Sequence, residues 1–191
     1  MNARAPQPRI ALTGFMCAGK TTVARALAAR LGCAMLDTDD RIVEREGRSI
    51  EAIIEGDGEP RFRQLERDAL GDILERDEAR VIALGGGTWA SAENRALIAA
   101  HGCLTVWLDA PFELCRRRIE KSADARPLAR DPERARELYE ARRAAYELAA
   151  LRVEITEARS AEDTAAEIAS IIERRNFFDE HEGRGEDKAD G

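Results

Sequence analysis

Short apolar runs alternate along the chain with longer stretches in which apolar residues recur every three or four positions. The short runs, Arg9–Thr13, Ala34–Asp37, Val81–Leu84, Leu104–Leu108 and Val153–Ile155, predict five strands short and apolar enough to be buried on both faces. The longer stretches predict helices over Lys20–Leu31, Asp39–Glu46, Ser49–Asp57, Glu59–Arg76, Ala92–Ala100, Pro111–Lys121, Pro132–Ala150 and Ala161–Arg174, the last opened by Ser160 with Asp163 three positions on. A strand feeding a helix, repeated in this way, is the signature of a parallel sheet with crossover helices, so the fold class is α/β. Two segments break the pattern. Lys121–Asp131 is polar around Arg126-Pro127 and reads as an excursion between helices, and 176–191 is an acidic tail with six acids against two bases, expected to be disordered.

Length and composition narrow the class further. At 191 residues, 44% hydrophobic and 5% aromatic, the chain suits one domain with a core of Leu, Ile, Val and Ala. Its net charge of −7, with no basic stripe, argues against nucleic acid or an anionic membrane as the partner. No apolar run approaches the ~20 residues of a membrane helix, and Met1–Arg9 leads into too short an apolar run for a secretory signal, so a cytoplasmic location is expected. Cys17, Cys33, Cys103 and Cys115 lack Cys-x-x-Cys spacing and only two histidines accompany them, which excludes a zinc site or disulfide framework and disfavours a Ser-His-Asp hydrolase.

Candidate chemistry begins after the first strand. Gly14-Phe15-Met16-Cys17-Ala18-Gly19-Lys20-Thr21 satisfies G-x-x-x-x-G-K-[ST] with a strand before it and a helix after it. Such a loop lets backbone N–H groups from Cys17 through Ala18, Gly19, Lys20, Thr21 and Thr22 converge on phosphates at a helix N-terminus, with Lys20 a mobile charge for the β- and γ-phosphates and Thr21 a ligand for Mg²⁺. The chain holds 27 Arg and only three Lys, so retention of Lys at position 20 is itself a signal, because a compact ammonium fits among phosphate oxygens where a guanidinium does not.

The acceptor side is less local. Asp37-Thr38-Asp39-Asp40 follows the second strand, where an open α/β sheet presents ligand groups. Its carboxylates suit either Mg²⁺ orientation and proton acceptance or simple helix capping. Gly85-Gly86-Gly87 after the third strand allows either close approach of a ligand to the backbone or a plain tight turn. Arg63 has Glu66 at i+3, able to hold its guanidinium and leave another face for a carboxylate.

Taken in order, Gly14 to Thr22, Asp37-Thr38-Asp39, Gly47-Arg48-Ser49-Ile50, Gly58-Glu59, Phe62-Arg63 with Glu66, Leu84 to Gly87, and Arg126-Pro127-Leu128 make the chain resemble shikimate kinases over about residues 8–174. The resemblance implies a three-layer P-loop kinase fold within a single 1–175 domain, with a sheet in 2-3-1-4-5 order, an acceptor-binding part over about 38–68 and a lid over about 121–131. It implies MgATP as phosphoryl donor and shikimate as acceptor, with Lys20, Asp39 and Arg126 catalytic and the loop residues Cys17 to Thr22, together with Arg126, holding ATP. Thr21 and Asp37 would serve the metal, and Asp39, Arg63, Gly86 and Arg142 would bind the acceptor. Arg143 competes with Arg142 for the carboxylate, and Arg116, Arg117 and Arg118 compete for the adenine. A monomer acting on a small molecule is expected; gluconate is the alternative acceptor.

Overall fold

A computed structural model of the chain describes residues 8–121 and 131–182, with side chains to residue 175. Five parallel strands, β1 (Ile10–Thr13), β2 (Met35–Asp37), β3 (Val81–Ala83), β4 (Leu104–Asp109) and β5 (Leu151–Glu154), lie in the order β2-β3-β1-β4-β5. The order puts β1 in the middle, where Ile10 pairs with Val81 of β3 on one side and with Leu104 of β4 on the other. All residues of β1, β3 and β4 are buried, as continuous apolar runs in a doubly covered sheet require. The helices are α1 (Lys20–Leu31), α2 (Thr38–Glu46), α3 (Ile50–Asp57), α4 (Glu59–Arg76), α5 (Ala92–Ala100), α6 (Phe112–Lys121), α7 (Pro132–Tyr146) and α8 (Ala161–Glu182).

The hydrophobic interior has two parts. The larger joins the sheet to α1, α8 and their neighbours through residues such as Leu12, Leu27, Ile82, Val106 and Ile168. The smaller consists of Ile42, Ile53, Phe62, Leu65 and Ala69, with Ile50 and Ile54 against it, and it gathers α2, α3 and the first half of α4. Among the described residues no helix is long and apolar enough to cross a membrane, and all four cysteines are free.

Three element ends depart from the expectation by two residues or more, and one turn is additional to it. Helix α7 stops at Tyr146 rather than Ala150, because the Leu148 and Ala149 amides turn back to the Ala145 and Tyr146 carbonyls and Ala150 N–H then donates to Thr105 Oγ1, delivering the chain to β5. Strand β5 starts at Leu151 rather than Val153; as an edge strand it alternates exposed Arg152 and Glu154 with buried Val153, so a search for a continuous apolar run misses its beginning. Helix α8 continues past Arg174 to Glu182, so 176–182, expected to lie in a disordered tail, are helical: neither glycine nor proline interrupts the sequence before Gly183. A 3₁₀ turn over Thr88–Ala90, not anticipated, is closed by Thr88 N–H to Gly85 O and Ala90 N–H to Gly87 O.

Candidate functional site

The loop between β1 and α1 bends through three left-sided φ angles, at Gly14 (142°), Cys17 (57°) and Gly19 (102°). At Gly14 glycine is demanded twice over, since an added Cβ would also lie 2.7 Å from the Leu108 carbonyl oxygen of β4. Lys20 Nζ lies over the loop and donates to the Gly14 and Phe15 carbonyls at 3.0 and 2.9 Å. A cavity of about 440 Å³ opens beside the loop and is walled by Asp39, Arg118, Ile155, Arg159 and Thr164 as well as by the loop itself.

Asp37 ends β2 beside this loop and serves two structures at once. Its Oδ1 accepts from Asp39 N–H at 2.9 Å, capping α2, while its Oδ2 accepts the Thr21 hydroxyl at 2.6 Å. Capping and a place at the phosphate loop were alternatives on sequence grounds; one carboxylate occupies both positions. The fully buried Thr38 closes the gap to the next strand, its Oγ1 accepting from Gly85 N–H at 2.7 Å. Asp39 thereby stands at the glycine run: a Cβ on Gly85 would lie 2.5 Å from Asp39 Oδ1 and 2.9 Å from both Glu66 Oε1 and Thr88 Oγ1.

Across that run stand two arginines. Arg63 on α4 pairs through Nη1 with the buried Glu66, through Nη2 with Glu59 at 2.7 Å, and its guanidinium fills the space that a side chain at Gly87 would need. Burial opposes the Arg63 charge, but the two glutamates outweigh it and hold its pKa above the ordinary arginine value. Glu66 itself is tied on its other oxygen by the Thr88 hydroxyl at 2.9 Å. Arg142 on α7 reaches the far side, donating to the Gly86 carbonyl at 2.9 Å, and the Tyr146 hydroxyl donates to the same oxygen at 2.9 Å. Burial pushes the Tyr146 hydroxyl up to about 12.

The two open arginine choices fall to different neighbourhoods. Arg143 points away from Gly86 toward Tyr139 and Asp109 and lies over the Trp107 ring. Arg118 donates to the Cys17 and Ala18 carbonyls and walls the cavity, whereas Arg116 pairs with Glu113 and Glu120, and Arg117 with Glu157. Thus Lys20, Thr21, Asp37, Asp39, Arg63, Gly86 and Arg142 gather at the C-terminal ends of β1, β2 and β3, while Arg126 and most of the expected lid lie outside the described residues. Sequence reasoning gave Thr38, Thr88 and Tyr146 no place among the site residues. Tyr146 was within reach, because a residue four beyond Arg142 shares its helix face.

Residues 16–173 match the family model described as shikimate kinase. A shikimate kinase of Streptomyces avermitilis is 43% identical over 168 residues, covering 87% of this chain and 96% of the relative. One of Geobacter metallireducens is 42% identical over 169 residues, covering 87% of this chain and 92% of the relative. Among solved structures, the shikimate kinase from Acinetobacter baumannii in complex with shikimate shares the fold with a TM-score of 0.83 and 36% identity, covering 91% of this chain and 97% of that one.

Proposed function

The chain belongs to the shikimate kinase family, and from that premise we propose that it transfers the γ-phosphoryl group of MgATP to the 3-hydroxyl of shikimate, giving shikimate 3-phosphate and ADP. The observation that carries the reading is the placement of Arg63 and Arg142 on either side of Gly86 and Gly87, with Asp39 against Gly85 and the phosphate loop alongside. Two guanidiniums suit a carboxylate, and an aspartate suits ring hydroxyls, which is the chemistry of a small polyhydroxy acid.

The donor end fits a metal–nucleotide complex. The Thr21 hydroxyl and Asp37 carboxylate, 2.6 Å apart, are hard oxygen donors of the kind Mg²⁺ takes, and they would hold it beside the loop. Bound there, the ion supplies charge neutralisation at the β- and γ-phosphates. The Cys17 to Thr22 amides cradle the phosphates, and Lys20 turns from the Gly14 and Phe15 carbonyls to the phosphate oxygens. Of the three arginines proposed for the adenine, Arg118 is the one that lines the cavity, which supports it for that contact.

At the acceptor end Arg63 and Arg142 grip the carboxylate, the Gly86 backbone abuts the ring, and Asp39 orients the attacking hydroxyl and accepts its proton at a carboxylate oxygen. Arg126 meets the charge that develops on the transferring phosphoryl. Because phosphoryl transfer asks little covalent chemistry of the protein, alignment and electrostatics supply most of the rate. The reading makes the protein a cytoplasmic monomer whose partner is a small molecule rather than nucleic acid or membrane.

The test is ADP release from MgATP with shikimate, gluconate, a nucleoside monophosphate or no acceptor added in parallel. Release dependent on shikimate alone is expected. Equal release with gluconate, or none above the blank with shikimate, overturns the acceptor assignment.

A further inference from the structure

Arg63 is held by two carboxylates of opposite character. Glu66 is 2% exposed and fixed on both oxygens, one by Arg63 and the other by Thr88. Glu59, one turn before Arg63 on the same face of α4, is 64% exposed and bonds Arg63 Nη2 from the solvent side. Its position in the first turn of α4 sets it beside Arg63, whose guanidinium fills the space over Gly87. Arg142 and Arg134 also act on it, after Arg63, and together they hold its carboxyl below the usual glutamate range. Glu59 is therefore an anion bonded to Arg63, at the place where the proposed acceptor's own carboxylate has to arrive.

A guanidinium recognises a carboxylate best through two parallel N–H groups. With one Nη1 N–H given to Glu66, the bond to Glu59 takes one N–H of Nη2 and so competes for the pair of η nitrogens. We propose that Glu59 is an internal stand-in for the acceptor's carboxylate: it occupies Arg63 Nη2 when the acceptor is absent and surrenders that contact when a carboxylate-bearing acceptor binds. This rests on the reading of Arg63 and Arg142 as the carboxylate clamp. The arrangement keeps the empty arginines from repelling one another, and it makes entry conditional on an anion that competes better than an exposed i,i+4 ion pair, which is weak. Glu59 thus sets acceptor specificity by competition, whereas Glu66 sets the direction of Arg63.

The experiment is calorimetric titration of the full chain and of its Glu59→Gln variant with shikimate and, separately, with shikimate methyl ester, which keeps the hydroxyls and lacks the charge. Loss of competition is expected to lower the shikimate Kd about two- to fivefold, the range open to an exposed pair, and to leave the methyl ester Kd unchanged. Weaker shikimate binding in the variant would show instead that Glu59 orients Arg63, and an unchanged Kd would reduce it to a helix-start charge; either result overturns the proposal. A wild-type chain that neither binds nor phosphorylates shikimate removes the clamp reading itself, a failure visible before the variant is tested.

Discussion

The two ends of the site are built on different plans. The phosphate end is a single run of eight residues in which backbone amides and left-sided φ angles at Gly14, Cys17 and Gly19 shape the cradle. The acceptor end takes Asp39 from α2, Arg63 from α4, Gly85 to Gly87 from the end of β3 and Arg142 from α7, and holds them with side-chain contacts to Thr38, Glu66, Thr88 and Tyr146. A phosphate chain common to many donors is met by main chain, which depends little on side-chain identity. On the proposed reading a particular hydroxy acid would be met by side chains, whose positions depend on the packing of four separate elements.

The contrast can be broken most severely at Lys20, the charged side chain proposed to meet the phosphates. Lys20→Met is expected to lower kcat by on the order of 10²- to 10³-fold, the cost of losing one preorganised charge in the transition state, with a far smaller effect on the thermal midpoint, since Lys20 lies over the loop on the Gly14 and Phe15 carbonyls. Near-normal kcat by steady-state assay would mean that backbone amides alone suffice there.

Gly85→Ala sharpens the contrast from the other side. Its Cβ would press on Asp39, Glu66 and Thr88 together, so the acceptor KM is expected to rise about tenfold and stability to fall by about 1–3 kcal/mol, while the ATP Kd stays within about twofold. A parallel loss of ATP affinity would show that the two ends are not independently assembled.

The smallest effect belongs to Tyr146, which joins the acceptor end to the core. Burial raises its pKa from 10.0 to about 12 in the folded chain, so folding favours the neutral hydroxyl. That contribution is whole below pH 10 and is lost as pH climbs from 10 to 12. Tyr146→Phe is therefore expected to flatten the fall of the thermal midpoint across that window, and an unchanged slope would deny the buried hydroxyl its role on the Gly86 carbonyl.

The same division explains what the sequence made legible. The phosphate loop could be read because all its information lies within Gly14 to Thr21, between a strand and a helix that the apolar pattern marks. The choice between Arg142 and Arg143 could not be read from composition: one step along a helix turns a side chain by about 100°, and only the packing of α7 shows that Gly86 lies on one side and Asp109 on the other. Arg118 differs from its two neighbours in the same way, through contact with carbonyls about a hundred residues earlier in the chain. Thr88 escaped notice because its value comes from burial beside Glu66, a property that no short motif announces.

Ile42, Ile53, Phe62, Leu65 and Ala69 pack with one another apart from the residues that cement the sheet. Substitutions that reshape α2, α3 and the start of α4 can therefore accumulate while the strands and the phosphate loop keep their own packing. For an evolving lineage, or a laboratory selecting a new acceptor, this small core is a separate handle on the helices that carry Asp39 and Arg63, two of the groups proposed to meet whatever receives the phosphoryl group.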